Sequence, residues 1–299
     1  MGFDVVGVGH AAIDTLSVVG QYPSVDNKVE VEQFSIQGGG PVATALVTLS
    51  RLGRSTAFVG KLSDDNYGDF IRVGLEEEGV DLSSLVIQPD RVSPYSFIAV
   101  ERRTGKRTIF WTRGDLDPLL PEQIDADLIS SARLLHVDGL QMQAQLAAAR
   151  MARQAGVPVV YDAGSPREGA KELMSLTDLL IASEHFAAEM GGGELEASLE
   201  RLSGYGPSCV VLTLGEEGSI GTEDGQVARV PALDVAVVDT TGAGDVYHGA
   251  FIHAYLEEYA LLERMRFAAV SAGLKCRALG GRAGIPELEE IQAQLFDFS

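Results

Sequence analysis

Asp239-Thr-Thr-Gly-Ala-Gly-Asp245 is the stretch on which the reading of this chain turns. A hydrophobic run over 230–238, interrupted by Pro231 and Asp234, leads into it. The residues after it, Val246-Tyr-His-Gly-Ala-Phe-Ile-His-Ala-Tyr-Leu256, have helical apolar spacing. The pattern predicts a strand, a tight glycine turn and a helix start. The first turn of such a helix leaves backbone N–H groups unpaired and pointing outward, which is an anion-binding arrangement. Small residues at 242–244 let a phosphate approach that backbone closely. Asp245 admits two readings. Its charge suits the helix macrodipole but repels an anion. It is either a simple first-turn carboxylate or a base beside an anion hole, taking a proton from a hydroxyl that attacks a phosphoryl group.

Composition narrows the class. With 299 residues, 45% hydrophobic residues and only 11 prolines, the chain reads as a soluble globular protein with a large core. A formal charge of -20 and the lack of any basic stripe argue against a nucleic-acid partner. Cys209 and Cys276 lie far apart in apolar surroundings and read as buried free thiols in a reducing compartment. The opening MGFDVVGVGH has no basic leader region, and no run approaches 18 apolar residues. A cytoplasmic protein with no membrane contact is therefore expected.

Working outward from 239–245, the pattern is that of an α/β protein forming a single domain over 1–299. Phe3 to Val8 reads as a strand ending in Gly9-His-Ala-Ala-Ile-Asp14, which puts Asp14 just past the strand end. An acidic residue there either holds a ligand hydroxyl or caps a loop. Alternating polar and apolar residues over 15–37, and again over 93–112 around Thr104-Gly105, predict exposed strands. Together they make a small second sheet, a candidate lid. Between them, Gly38-Gly-Gly-Pro41 opens a helix with proline at its first position, and its glycine backbone can approach a ligand. Thr44 sits on the first turn, as a ligand contact or a packing residue. From Leu134 the chain alternates strands near 134–138, 157–162, 179–182 and 208–214 with helices. The helices are read over 141–155, 168–175, 186–190, 195–203 and 261–279, with a last one from Pro286. Leu214-Gly-Glu-Glu-Gly-Ser219 is a glycine turn able to lie against a nucleotide.

The five histidines are scattered, and His248 and His253 lack metal-ligand spacing, so both read as packing or surface residues. No G-x-S-x-G elbow, Walker A sequence or G-x-G-x-x-G fingerprint is present. An anion hole with an adjacent carboxylate, a glycine backbone site, Asp14 and a lid suit phosphoryl transfer to an alcohol. The lid has a purpose in that chemistry, because water in the site would be phosphorylated instead.

Across essentially all of its length the chain resembles the ribokinase-like (PfkB) carbohydrate kinases. Asp239 to Asp245 followed by Gly249-Ala-Phe251 is similar to the family's C-terminal signature, and Gly38-Gly-Gly40 with Arg51-Leu-Gly53 resembles the N-terminal one. Gly60 with Asp64-Asp65 and Gly68, Thr213-Leu-Gly215 with Gly218, and the Gly281 to Pro286 tail add to the likeness. The resemblance implies a three-layer α/β/α sandwich with a small β-sheet lid. It also implies ATP-dependent phosphorylation of a primary hydroxyl of a small sugar. Asp245 is then the base, with the N–H groups of Gly242, Ala243 and Gly244 as the anion hole. Asp14, Gly39 and Gly40 contact the sugar, with Lys28, Thr44, Arg113 and Asp138 as further candidates. ATP lies across Thr213, Gly215, Gly218 and the helix carrying Ala272 and Cys276. Mg²⁺ is held by phosphates and water, a monovalent cation such as K⁺ is a further cofactor that the likeness allows, and a homodimer forms through the lid.

Some family features are altered. Thr44 stands where asparagine is frequent, and Ser183-Glu184 stands where the family often has Asn-x-x-Glu. Gly-Gly-Gly-Pro-x-Ala-Thr-Ala and the Cys276 to Pro286 ending resemble the branch that includes bacterial sulfofructose kinases. That branch is expected to need a cation for the sulfonate. Asp138-Gly139 offers no arginine at its strand end, which leaves Lys28, Arg113 and Arg167. A ketose or related unphosphorylated sugar is the first expectation. Sugar acids of the 2-keto-3-deoxygluconate type, nucleosides, and a catalytically silent sugar-binding role are the alternatives.

Overall fold

Short aliphatic and β-branched runs make the strands of this molecule, and alanine- and leucine-rich stretches make its helices. The computed structural model describes residues 2–298. The chain opens with β1 (Val5–Val8), β2 (Ala12–Val19), β3 (Gln33–Gly39) and α1 (Pro41–Arg51). Next come β4 (Thr56–Val59), β5 (Lys61–Leu62), α2 (Asn66–Glu77), β6 (Val86–Ile87) and the hairpin of β7 (Tyr95–Glu101) and β8 (Arg107–Thr112). The middle of the chain holds α3 (Ala126–Ser131), β9 (Leu134–Val137), α4 (Met142–Ala155), β10 (Val159–Ala163) and α5 (Ala170–Ser175). It continues through β11 (Leu179–Ser183), α6 (Glu184–Met190), α7 (Leu195–Ser203) and β12 (Cys209–Thr213). The last third holds β13 (Ser219–Glu223), β14 (Gln226–Val230), α8 (Ala243–Leu256), α9 (Leu261–Lys275) and α10 (Leu288–Asp297).

Eight strands form the central sheet in the order β14-β13-β12-β11-β10-β9-β1-β4. The six from β12 to β4 run parallel, and β13 and β14 add an antiparallel edge. The parallel strands are apolar throughout because both faces are covered. Alternate side chains feed two cores. Val5, Leu134, Val160 and Ile181 pack with Leu46, Phe251 and Phe267 of α1, α8 and α9. Val6, Leu135, Tyr161 and Leu180 pack with Leu146 and Phe186 of α4 and α6 on the other side. The result is the ribokinase-like three-layer sandwich that the resemblance implies. Such a sheet binds ligands at the carboxyl ends of its parallel strands, and Asp138, Ser183 and Thr213 all lie there.

A second sheet has the order β3-β2-β7-β8. It contains the hairpin around Thr104-Gly105, but its limits differ from those read in the sequence. β2 begins at Ala12, so Asp14 is a strand residue of this sheet, paired with Gln37 and Ser96, rather than a loop residue after β1. Residues 20–32 form no strand, although 28–32 alternates. The hydrogen bonds of β2 go to β3 and β7, and the sheet takes no strand from 20–32 at the outer edge of β3 or β8. The hydrophobic run before 239 is likewise not a strand beyond Val230. Pro231 has no N–H to continue the ladder. α9 stops at Lys275, four residues before the expected end, and the chain turns away through Gly280.

Candidate active site

The start of α8 is built by a left-handed residue. Gly242 has φ 74°, and a Cβ there would come within 2.7 Å of Gly281 Cα. The Ala243 amide donates to the Thr240 carbonyl at 3.2 Å and closes the turn. Among the described residues, the N–H groups of Gly242, Gly244 and Asp245 meet no acceptor. Ala243 uses its amide inside the turn, and Asp245 brings a free amide beside those of Gly242 and Gly244. A Cβ built on Gly244 meets no atom within 4 Å, so the helix start is open.

The turn is fixed from behind by Asp239, which is fully buried. Its Oδ1 accepts from the Thr241 amide (2.9 Å) and hydroxyl (2.8 Å), and its Oδ2 from the Gly280 amide (2.8 Å). Its carbonyl accepts from Lys275 Nζ at 2.9 Å. Cys276, expected beside the nucleotide, supplies a carbonyl that accepts from the amides of Val238 (2.8 Å) and Asp239 (3.2 Å).

Two carboxyls share one electrostatic environment here. Burial, and then the negative charge of Asp162, push Asp245 up to about 6, while His248 and Arg107 oppose the shift. Burial also raises Asp14 to about 6, against the Ser96 hydroxyl, and Asp245 adds to the rise. Behind Asp245, His248 Nδ1 lies 2.6 Å from the Gly244 carbonyl and its Nε2 lies 3.4 Å from Asp162 Oδ1. Burial and Asp138 hold the Asp162 carboxyl well above the usual carboxylate range. His248 is thus a packing residue, as expected, but one wired to the first turn of α8.

Gly39 lies under Asp14: a Cβ there would be 2.0 Å from Asp14 Oδ2. Arg282, buried in the tail, donates to the Gly39 carbonyl at 3.2 Å, and burial lowers it to about 10. Gly40 precedes α1, against the carbonyl of His10. Thr44 does not line this space. It is 1% exposed, with its hydroxyl enclosed in the packing of α1. Lys28 stands exposed in the irregular segment 20–32.

Asp138 clamps two backbone amides and one side chain. Its Oδ2 accepts from the His10 amide (2.8 Å), and its Oδ1 from the Leu140 amide (2.9 Å) and Gln145 Nε2 (2.8 Å). Beside it opens a cavity of ≈ 550 Å³ whose lining includes His10, Lys61, Arg113, Gly139 and Arg167. Arg113 donates to the Leu140 carbonyl at 3.3 Å and lies 5.6 Å from the Trp111 ring centre. Trp111 approaches His10 at 6.3 Å, on the same face of the small sheet as Asp14 and Ser96. Phe97 and Phe110 pair on the opposite face.

Ser183 and Thr213 are register partners at the ends of β11 and β12, beside the turn carrying Gly215 and Gly218. Ser183 caps α6, its hydroxyl accepting from the Phe186 amide at 3.1 Å and donating to the Gly164 carbonyl at 2.7 Å. Glu184 is exposed next to it. Ala272 lies on the last turn of α9 and Cys276 follows its end, the Cys276 thiol donating to the Ala272 carbonyl at 3.2 Å. No group of three or more His, Cys, Asp or Glu side chains able to hold a metal occurs among the described residues. Among the described residues, no helix is long and apolar enough to cross a membrane.

Arg107 was not singled out in the sequence. It is exposed on β8, and its Nη1 donates to Thr240 Oγ1 at 2.7 Å, inside the turn that opens α8. Nothing in a strand of alternating residues distinguishes it; only the fold of the hairpin onto 237–240 does.

Comparison with known proteins agrees with this geometry. The model of the pfkB family carbohydrate kinases matches residues 3–288. A nucleoside kinase from Methanothermobacter thermautotrophicus is 28% identical over 292 residues, covering 96% of this chain and 94% of that protein. A 5-dehydro-2-deoxygluconokinase from Shouchella clausii is 28% identical over 313 residues, covering 97% and 95%. Arabidopsis thaliana ribokinase, solved with ribose and ATP, superimposes with a TM-score of 0.84 at 24% identity over 100% of both chains. None of these likenesses singles out the sulfofructose branch. The match spans nearly the whole chain and includes both signature stretches, and the protein belongs to the PfkB family of carbohydrate kinases.

Proposed function

We propose that this kinase transfers the γ-phosphoryl group of ATP to a primary hydroxyl of a small sugar, a ketose or a related sugar. One observation carries the reading: a carboxyl held near 6 shares the open start of α8 with unpaired N–H groups. Asp245 takes the proton from the acceptor hydroxyl, and the amides of Gly242, Gly244 and Asp245 hold the charge that develops on the transferring group. Asp14 and the backbone of Gly39–Gly40 orient the sugar, and Asp138 fixes the wall of its pocket. The residues present fit a nucleotide, since Thr213, Gly215 and Gly218 border an open turn at the sheet's carboxyl edge. Mg²⁺ carried by the phosphates and water would neutralise phosphate charge. The protein's share of the work is positioning and electrostatics.

The small sheet acts as the lid that excludes water, and its outer face carries exposed Phe34, Ile36, Phe97 and Phe110. That face suits a second copy of the chain, giving a homodimer. The two buried free thiols suit the cytoplasm. A second reading, an acidic sugar, is favoured by Lys61, Arg113 and Arg167 around the acceptor cavity. A nucleoside acceptor has less support, because Phe97 and Phe110 face away from Asp14 and only Trp111 is left to stack a base. The test is ADP release with a panel of neutral sugars, sugar acids and nucleosides. Substrate-dependent turnover that Asp245→Asn abolishes is expected. Saturable sugar binding with no turnover for any acceptor would leave only the silent sugar-binding role.

A further inference from the structure

Lys275 is the last residue of α9 and is fully buried. Its ammonium donates to the Asp239 carbonyl at 2.9 Å. The carboxylate of the same Asp239 holds the Thr241 and Gly280 amides, so the ammonium is bonded to the residue that fastens the turn from behind. Burial lowers the Lys275 ammonium, and the nearby Asp239 charge opposes that fall. A buried ammonium with so little hydration is costly unless it has a counter-charge and a task. Its neighbours supply the counter-charge. Its location supplies the task, because the turn it supports opens α8, where negative charge is gathered.

The family likeness allows a monovalent cation. Such an ion prefers a nest of carbonyl and carboxylate oxygens near the phosphates, and the oxygens of Asp239 behind this turn are such a nest. They do not fit an exchangeable ion here, since the Lys275 Nζ already occupies hydrogen-bonding distance of the carbonyl. We propose that Lys275 is a built-in cation: a permanent charge that fixes the 239–242 turn and makes the kinase independent of K⁺. The ammonium touches no substrate, so Lys275 is a positioning residue. Its effect on the anion hole runs through the Asp239 carbonyl and through the field it adds to the N-terminus of α8. The proposal rests on the kinase reading for its activity arm and on geometry alone for its binding arm.

The experiment uses the full chain and two variants, Lys275→Ala and Lys275→Met. Thermal stability is measured in the chloride salts of tetramethylammonium, Na⁺, K⁺ and NH₄⁺ at equal ionic strength. The wild type is expected to melt at one temperature in all four. Lys275→Ala is expected to be destabilised, and to be raised by K⁺ or NH₄⁺ but not by tetramethylammonium. Lys275→Met fills the volume without a charge and is expected to show no ion-specific rise. In the activity arm, wild-type kcat is expected to agree within about twofold across the four salts, while Lys275→Ala loses roughly 10²-fold and regains part of it in K⁺ or NH₄⁺. A severalfold stimulation of the wild type by K⁺ over tetramethylammonium would overturn the proposal. So would a Lys275→Met enzyme with wild-type kcat. If neither variant folds, the wild-type salt series still decides. If no acceptor sugar is found, the melting series still decides, which separates this inference from the kinase reading.

Discussion

Arg107 Nη1 donates to Thr240 Oγ1 at 2.7 Å, joining a strand of the small sheet to the turn that opens α8. The hairpin tip follows it: the Gly105 carbonyl accepts from the Thr240 amide at 3.4 Å. The sheet that bears Asp14 and the turn that leads to Asp245 are therefore in direct contact, through Arg107 and through the hairpin tip. Its positive charge also favours the ionised form of Asp245.

Removing that arginine should uncouple the small sheet from the turn that opens α8. Arg107→Ala is expected to lower kcat by about 10²-fold, the scale seen when one donor to developing charge is lost. Arg107→Lys should retain more, since it keeps the charge and loses only the forked geometry. Melting temperature should hardly change, because Arg107 is exposed. Steady-state kinetics beside a thermal melt checks this, and an unchanged kcat in Arg107→Ala would remove the lid arginine from the mechanism.

Activity and stability should move in opposite directions with pH. Asp245 rises from an ordinary 3.8 to about 6 because burial disfavours its charge. A base works only when ionised, so kcat/KM should climb as pH passes through about 6. The folded state binds more protons than the unfolded one between those two values. Stability contributed by this group is therefore present at low pH and lost as pH rises through about 6. Asp14 adds the same sign. Asp245→Asn should accordingly melt higher than the wild type at pH 7.5 while kcat drops roughly 10²–10⁴-fold. A melting temperature lowered by that substitution would contradict the burial argument.

The architecture was legible because parallel strands buried on both faces read as uninterrupted apolar runs, and because glycines mark the two ligand-facing turns. Asp245 was legible as an acid at a helix start, whereas the place of Asp14 within β2 was not. The misreadings have a common cause. Alternation at 28–32 and the apolar run at 231–238 are local patterns, and local patterns do not know whether a strand edge is free or a proline blocks the ladder. Thr44 was placed near the ligand by its position in a first turn, whereas its direction into the helix packing is a tertiary fact. Arg107 and Lys275 carry no local signature at all. Each becomes significant only through a contact with 239–241 that spans more than thirty residues of chain.

Gly39 should tolerate no side chain. Its absent Cβ leaves the space in which the Asp14 carboxylate lies, 2.0 Å from where that atom would stand. Gly39→Ala must displace Asp14, which is only 7% exposed and has little room to move. The expected result is a KM for the sugar raised about tenfold or more, with the KM for ATP unchanged, since the turn proposed for the nucleotide follows β12 of the central sheet, whereas Gly39 ends β3 of the small one. Equal effects on both constants would mean that the change spreads through α1 rather than through Asp14.

The cations of the acceptor cavity make the last prediction. Lys61 is committed to the Pro118 carbonyl at 2.9 Å, so the groups left to meet a ligand anion are Arg113 and Arg167. Arg113 is exposed and stacked over Trp111, which fixes its plane without using all its donors. An acidic sugar would gain charge-assisted hydrogen bonds from both, whereas a neutral sugar would gain little. Arg113→Ala and Arg167→Ala should each raise KM for a sugar acid by about 10-fold or more, the range of a lost charged hydrogen bond. The same variants should alter KM for a neutral ketose less than about twofold. Kinetics with a matched acid and neutral pair decides the substrate class. Equal losses on both members of the pair would show that these arginines shape the pocket wall, and the neutral sugar reading would then stand.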